Sequence, residues 1–318
     1  MKPPYQVTPE IIALIVSISE KIGQINANFL TKPSPKLRKE NRIKTIHSSL
    51  SIEGNTLTEE QITALLEDKR VIGPAKDVSE VLNAIKAYEH LHNFAPSSKQ
   101  SFLDAHKMLM SGLIGSAGEY RTGGVGIVAG DKVTHMAPPA ENVPHLMNDL
   151  FDYLKSQEEI ALIKSCVFHY EMEFIHPFID GNGRMGRLWQ TLILMAEYPV
   201  FEFVPFENMI HKTQKDYYRA LSNSDKAGNS TPFIEYMLGV IDKSLYLVLD
   251  FKSHTMTAED RLTYFSEITE TYFSRKDYMN VFKNISSATA SRDLKLGVGL
   301  GIFEKEGDKT KTIYKLKE

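Results

Sequence analysis

Two apolar helical stretches joined by a short glycine turn constrain this chain more than any other feature. Residues 160 to 175 are apolar on most sides, as a helix at the centre of a bundle would be, and a second apolar helix is expected from about Arg184 to Ala196. Between them, residues 177 to 183 stop the first helix with proline and let the chain reverse through glycine. A helix that is apolar all round must be covered by others, and the flanking sequence supplies them. Thr8, Pro9 and Glu10 read as an N-cap, an N1 proline and a first-turn acid, followed by Ile11, Leu14, Ile15, Ile18, Ile22 and Ile25 at three- and four-residue steps. Lys32-Pro33-Ser34-Pro35 breaks that helix, and a second from about Lys36 carries Leu37, Ile43, Ile46 and Leu50 before Gly54-Asn55. Thr58-Glu59-Glu60-Gln61 opens a third with a capping box, and a fourth begins near Asp77. Further helices are predicted around Val143 to Leu154, His211 to Ser222 and Pro232 to Phe251.

The helical pattern breaks twice. Val125-Gly126-Ile127-Val128 and Lys132-Val133-Thr134-His135 flank Ala129-Gly130-Asp131, which reads as a short β-hairpin. From about Thr255 the sequence predicts helices over residues 259–273, 275–283 and 287–296, then strands over 301–304 and 310–316 around Gly307-Asp308. Three helices and a hairpin make a winged helix-turn-helix pattern. The chain of 318 residues thus reads as mainly α in three parts: a helical region over 1–97, a central domain over 98–254 and a winged-helix domain over 255–318. A net charge of -3 excludes a polybasic chain as a whole. The longest apolar run near the start, Ile11 to Val16, is far short of the roughly 18 residues that span a bilayer. One cysteine, Cys166, allows no intrachain disulfide, so a cytoplasmic chain is expected.

Chemistry concentrates in His176-Pro177-Phe178-Ile179-Asp180-Gly181-Asn182-Gly183-Arg184-Met185-Gly186-Arg187. Free amides at a helix start, approached closely through glycine, form an anion cradle. Arg184 and Arg187 stand in a first helical turn, where cations oppose the helix dipole unless a polyanion offsets them. Asp180 offers a hard oxygen ligand suited to Mg²⁺ between carboxylate and phosphate, and His176 can accept a proton near neutral pH. A lone Gly-Asn-Gly is an ordinary turn and a lone His-Pro an ordinary helix end. The combination of base, acid, amide turn and two spaced arginines is much harder to explain as folding alone.

This segment resembles the signature of the Fic (Fido) family, His-x-Phe-x-Asp/Glu-Gly-Asn-Gly-Arg-x-x-Arg, at every defined position. Gly118-Glu119-Tyr120-Arg121, Ala137-Pro138-Pro139 and Tyr217-Tyr218 also look like that family, so the resemblance covers roughly residues 40 to 250. It implies a Fic-type helical bundle with a β-hairpin flap, and transfer of AMP from Mg²⁺-ATP to a protein hydroxyl. His176 would be the base and Asp180 the metal ligand. Gly181, Asn182, Gly183, Arg184, Met185, Gly186 and Arg187 would surround the phosphates, with Tyr217 or Tyr218 at the adenine. Ser49-Leu50-Ser51-Ile52-Glu53-Gly54 resembles the Ser/Thr-x-x-x-Glu-Gly/Asn motif, which implies an inhibitory helix with Ser49 and Glu53, the latter pairing with Arg187 in place of the γ-phosphate. The hairpin would align an extended target segment through main-chain bonds. The partners so implied are a target protein, the chain itself as target, and a second copy in a homodimer.

Three other readings remain. The same site could remove AMP from a modified protein, with Glu53 positioning water. His169, Glu173 and His176 at i, i+4 and i+7 could form a hydrolytic metal site, though this leaves the glycine turn and both arginines unexplained. The basic excess after Arg261, with Arg292 and Lys295 on a candidate recognition helix, makes a DNA-binding regulator the alternative of a different class.

Overall fold

The computed structural model describes residues 2–28, 35–129, 132–156, 158–255, 257–269, 272–282, 285–307 and 312–317. Its helices are α1 (Pro9–Asn28), α2 (Pro35–Ile52), α3 (Glu59–Leu66), α4 (Ala75–Glu89), α5 (Lys99–Leu109), α6 (Val143–Lys155), α7 (Ala161–Ile175), α8 (Asn182–Glu197), α9 (Phe206–Lys212), α10 (Gln214–Ala227), α11 (Thr231–Thr255), α12 (Ala258–Ile268), α13 (Arg275–Val281) and α14 (Ser287–Gly299). The strands are β1 (Gly126–Ala129), β2 (Lys132–Met136), β3 (Tyr272–Phe273), β4 (Phe303–Glu306) and β5 (Ile313–Leu316). The protein is therefore mainly helical. No helix among the described residues is long and apolar enough to cross a membrane. The chain divides into two compact units, Met1–Gly23 with Lys36–Leu245, and Gln24–Pro35 with Tyr246–Glu318.

In the larger unit α7 and α8 lie at the centre, joined by the glycine turn. Phe102 of α5 gathers the rings of Phe151, Phe168, Phe178 and Trp189, with centroids 5.0 to 6.0 Å away. The Trp189 indole N–H donates to Pro96 O at 2.9 Å, so this large ring is both buried and satisfied. Helix starts follow the local chemistry. Thr8 Oγ1 accepts from Ile11 N at 3.2 Å, and Thr58 and Gln61 form the expected reciprocal box at the start of α3. Gly54, at a φ of +89°, ends the turn after α2. β1 and β2 pair antiparallel, with a register shift between Ile127 and Val128. The hairpin turn at Gly130-Asp131 lies outside the described residues, as does the break at residues 32 to 34.

Several elements differ from the sequence expectation. Helix α5 was not anticipated; Ser98 caps it by accepting from Ser101 N, and Phe102, Ala105, His106 and Leu109 form its buried face. The stretch expected as one helix from His211 to Ser222 is instead two, α9 and α10, divided at Thr213. α8 starts at Asn182, two residues before the expected start.

The smaller unit holds α12, α13 and α14 with an antiparallel sheet ordered β3-β5-β4. Residues 259 to 273 are not one helix. α12 ends at Ile268 with an extended Thr269, and Tyr272–Phe273 form β3, because Phe273 is needed in the core beside Phe265, Tyr278, Leu294 and Phe303. That core closes around Asp293, which receives Arg261 at 2.7 and 3.1 Å and the Tyr278 hydroxyl at 3.2 Å. The first strand after α14 is Phe303–Glu306 rather than 301–304, and of the expected strand over 310–316 the described part is Ile313–Leu316. Residues Asp308 and 309–311 lie outside the described residues, and so do Lys283 and Asn284.

Candidate active site

His176 terminates α7 in the left-handed backbone region, at a φ of 50°, with its N–H donating to Met172 O at 3.0 Å. That conformation costs a non-glycine residue roughly 1–2 kcal/mol, and packing around it supplies the compensation. Two residues on, the Phe178 ring is fully buried against Phe102 and stacks on the His106 imidazole at 3.5 Å between centroids and 6° between planes. His106 Nδ1 accepts from Gly118 N at 2.9 Å, which leaves Nε2 to donate to Asp180 O at 3.0 Å. Burial pushes this imidazole down to about 4, so it is a neutral bridge under ordinary conditions.

Asn182 braces the turn from inside: its Oδ1 accepts from Phe178 N at 3.0 Å and its Nδ2 donates to Phe178 O at 2.9 Å. Gly181 precedes α8 at a φ of +87°, and a Cβ there would meet Met110 Sδ at 2.7 Å. The turn thereby presents the start of α8, whose first N–H groups have no preceding helical carbonyl. Asp180 Oδ1 accepts from Gly181 N at 2.6 Å and from Arg184 Nη2 at 2.9 Å. Its carboxylate stands at the cavity edge and suits a hard cation. Among the described residues no group of three His, Cys, Asp or Glu side chains is arranged to hold a metal, so a cation on Asp180 would take its remaining ligands from phosphate and water.

The two arginines have different surroundings. Arg184 is buried and paired with Glu80 at 3.0 Å and Asp180 at 2.9 Å. Arg187 is fully buried; its Nε donates to Ser49 Oγ at 3.0 Å, and its Nη2 donates to Ser49 O at 2.9 Å and to Glu53 Oε1 at 2.7 Å. Nη1 of Arg187 is buried with no hydrogen-bond partner among the described residues. Burial pulls this guanidinium down, but the Glu53 carboxylate, with Tyr217 and Glu173 behind it, raises it overall. Behind the pair lies Glu207, buried, accepting from Thr191 at 3.1 Å and from Thr45 of α2 at 3.4 Å. Burial pushes Glu207 up to about 7.

A cavity of about 550 Å³ collects Glu53, His176, Asp180, Gly181, Asn182, Gly183 and Arg187, and continues past Tyr217 and Tyr218 to Leu221 and Asp225. Of the residues expected from sequence, Ser49, Arg184, Met185 and Gly186 do not line it, Ser49 reaching the site through its bonds to Arg187. Met185 is fully buried, and a Cβ on Gly186 would meet the His169 ring at 2.6 Å, so both serve the close approach of α7 and α8. Tyr217 is 1% exposed and Tyr218 48%, as adjacent helical positions require. Tyr217 lies with its hydroxyl 3.1 Å from His169 Nε2. The other nitrogen of His169, Nδ1, faces Gln190 Oε1 at 2.6 Å, so both ring nitrogens are already engaged. Burial pushes this ring down to about 3, the environment of a neutral core histidine. Sequence reasoning did not single out Glu80, His106 or Glu207; only their burial among polar partners marks them.

Residues 96–194 match the Fic/DOC family model. A protein adenylyltransferase Fic from Nematostella vectensis is 28% identical over 253 residues, covering 76% of this chain and 56% of that protein. Protein adenylyltransferase fic-1 from Caenorhabditis briggsae is 28% identical over 250 residues, covering 71% and 47%. The chain thus spans about half the length of the curated relatives it matches. Among solved structures, Fic-1 from C. elegans is 24% identical, covers 77% of this chain and 74% of that one, and superposes with a TM-score of 0.64, a likeness of fold. The crystal structure of a Fic family protein from Desulfovibrio desulfuricans G20 is 41% identical, covers 99% of this chain and 98% of that one, and superposes with a TM-score of 0.76. With that identity running end to end, the chain belongs to the Fic family.

Proposed function

We propose that this chain is a protein adenylyltransferase that moves AMP from ATP to a Ser, Thr or Tyr hydroxyl of a target protein, and that Glu53 keeps it at low activity. The observation that carries this reading is Arg187, a buried guanidinium beside the start of α8 whose Nη1 has no partner among the described residues and whose Nη2 is held by Glu53 and Ser49 O. An unsatisfied buried donor costs roughly 1–3 kcal/mol, and a phosphate oxygen would satisfy it at the place where Glu53 now stands.

In the mechanism, the amides opening α8 and the guanidinium of Arg187 receive the phosphates. Asp180 would hold Mg²⁺, which neutralises phosphate charge when bound. The acceptor oxygen attacks the α-phosphorus as its proton passes to the His176 imidazole. The bond from the α-phosphorus to the bridging oxygen then breaks, and pyrophosphate departs. Asn182 acts through the backbone, locking the turn on Phe178. Arg184, already neutralised by Glu80 and Asp180, holds the loop in shape and acts on phosphate through Asp180. Of the adjacent tyrosines, Tyr218 is the one exposed enough to lie against adenine.

A second reading has an observation of its own. Glu53 lines the same cavity with its side chain 31% exposed, which suits a carboxylate that orients water for removal of AMP from a modified hydroxyl. The domain limits 1–97, 98–254 and 255–318 belong to this proposal, with the hairpin as target-aligning flap. The smaller unit, with three helices and sheet order β3-β5-β4, is proposed as a winged-helix module. The test is incubation of the purified protein with Mg²⁺ and labelled ATP, with and without lysate, followed by mass spectrometry of modified peptides, with His176→Ala as control. Adenylylated peptides that vanish with His176→Ala support transfer. Release of AMP from a premodified substrate, with no forward transfer, would favour the reverse reaction.

A further inference from the structure

Arg121 stands just before the hairpin, 2% exposed, and among the described residues every hydrogen bond of its guanidinium goes to a backbone carbonyl. Nε donates to His176 O at 2.7 Å and Nη2 to Ile175 O at 3.3 Å, both at the C-terminal end of α7. Nη1 donates to Gly123 O at 2.8 Å, three residues before β1 begins, and Nη2 also donates to Pro138 O at 2.6 Å, two residues after β2 ends. Its own amide completes the set by donating to Pro177 O at 2.9 Å. The negative end of the α7 dipole and four carbonyls replace the carboxylate that a buried arginine ordinarily requires. Burial accordingly pulls the guanidinium down from its usual value.

We propose that Arg121 is a positioning residue that fixes the base and both ends of the hairpin to one planar group, so that a target strand laid along the hairpin reaches His176 in a single register. The inference rests on the transfer reading above. Its logic is geometric. His176 occupies a strained left-handed conformation, and the carbonyl of that same residue is the one Nε grips, so the bond holds the base's backbone where the helix no longer does. The fork of an arginine presents donors in fixed directions in one plane, and a lysine ammonium cannot serve His176, Gly123 and Pro138 at once. Of the four residues whose carbonyls it holds, Ile175, Gly123 and Pro138 do not line the cavity, so loss of the clamp should misplace acceptor and base while leaving nucleotide held. A misplacement of about 1 Å can cost 10²-fold in rate.

The experiment compares Arg121→Lys and Arg121→Ala in the Glu53→Gly background, using full-length protein, Mg²⁺-ATP and the target or self-modification assay. The expected result is a kcat lower by about 10²-fold with KM for ATP within about twofold. Millimolar guanidinium should restore part of the rate to Arg121→Ala while methylammonium does not, a reversal that mere loss of stability would not show. Amide exchange followed by mass spectrometry should rise together in residues 122–139 and 175–178 of Arg121→Lys. A kcat within twofold of the background, or exchange unchanged in both segments, overturns the proposal. If the Glu53→Gly background itself transfers no AMP, the transfer reading fails separately, and joint exchange with its guanidinium reversal still decides whether the clamp exists. Should Arg121→Ala not fold, Arg121→Lys carries the same rate and exchange readouts.

Discussion

The glycine turn between α7 and α8 and the contact of α2 with Arg187 lie in the same cavity wall and are built on opposite terms. In the turn, each polar side chain answers several partners: Asn182 both donates to and accepts from Phe178, His106 bridges Gly118 and Asp180, and Arg184 sits between Glu80 and Asp180. Glu80 in turn accepts from Asn55 at 2.8 Å. At the α2 contact, Glu53, its side chain 31% exposed, meets Arg187 through one oxygen, whereas Arg184 meets two carboxylates; among the described residues each guanidinium keeps one buried nitrogen without a partner, Nη1 of Arg187 and Nε of Arg184. The turn is fixed by mutual obligation. On the proposed reading the α2 contact is the one exchanged for another anion, since the bonds that hold the turn do not pass through Glu53.

The largest effects should appear where that contrast is broken. Glu53→Gly removes the competing anion, and the expected outcome is a gain in AMP transfer of tenfold or more, since an ion pair with a buried partner is worth about 1.4 kcal/mol or better. Arg187→Ala should abolish transfer, and combining it with Glu53→Gly should restore none of it, because the phosphate partner is then missing. Rates of labelled AMP incorporation check both. Equal activity of Glu53→Gly and the parent would show that the contact is not competitive.

Gly183→Ala sharpens the same point. A Cβ at Gly183 would run into the Glu53 carboxylate and lie 3.0 Å from Arg187 Nη1. The substitution therefore expels Glu53 as Glu53→Gly does, yet fills the space a phosphate needs. It should give no gain in transfer and weaken ATP binding, read by calorimetry. A gain equal to that of Glu53→Gly would mean that phosphate does not approach Gly183.

In the fixed half the expected cost is stability. Glu80→Leu removes the buried partner of Arg184, and breaking a buried pair costs about 3–5 kcal/mol; because Asp180 still pairs with Arg184, the lower figure applies. Urea unfolding of the parent and the variant measures it. A change below about 1 kcal/mol, the range of exposed pairs, would make the turn no more fixed than the α2 contact.

How much of this was legible in sequence follows the same division. His176, Asp180 and the glycine turn announce themselves because their residue types are contiguous and each restricts the backbone. The place of Phe178 in the core shows in the structure, where its ring packs on Phe102 and His106. The pairing of Glu53 with Arg187 joins residues 134 apart and came only through resemblance; no local signal marks it. Glu80 and Glu207 are single acids on helices, and nothing near them in sequence distinguishes a buried carboxylate from a solvated one. Likewise residues 269 to 273 follow a helical register that breaks only because Phe273 completes a core assembled from α12, α13, α14 and β4. The adjacent tyrosines show the converse: the resemblance sets Tyr217 or Tyr218 at the adenine, helix geometry turns neighbours to different faces, and the structure buries Tyr217 at 1% while leaving Tyr218 48% exposed.

The smallest expected effect concerns pH, and here the two halves should tilt in opposite directions. His106 of α5, bonded to the turn at Asp180 O, is held down to about 4 from its ordinary 6.5, so the unfolded chain binds its proton first. Its contribution to stability is complete above pH 6.5 and is lost as pH falls toward 4. Glu207, beside α2, is pushed up to about 7 from 4.5, so the folded chain binds its proton more tightly. Its contribution is complete below pH 4.5 and is lost as pH rises through 7. Between pH 5 and 7 each changes stability by about 2 kcal/mol, with opposite sign, and they offset. His106→Gln can keep the bridge between Gly118 and Asp180 without titrating, so its stability should fall more than that of the parent as pH rises from 5 to 7. Glu207→Gln should instead fall as pH drops from 7 to 5. Urea midpoints across that range decide it, and two variants tilting in the same direction would dissolve the distinction between a neutral base fixed in the turn and a neutral acid buried under the exchangeable helix.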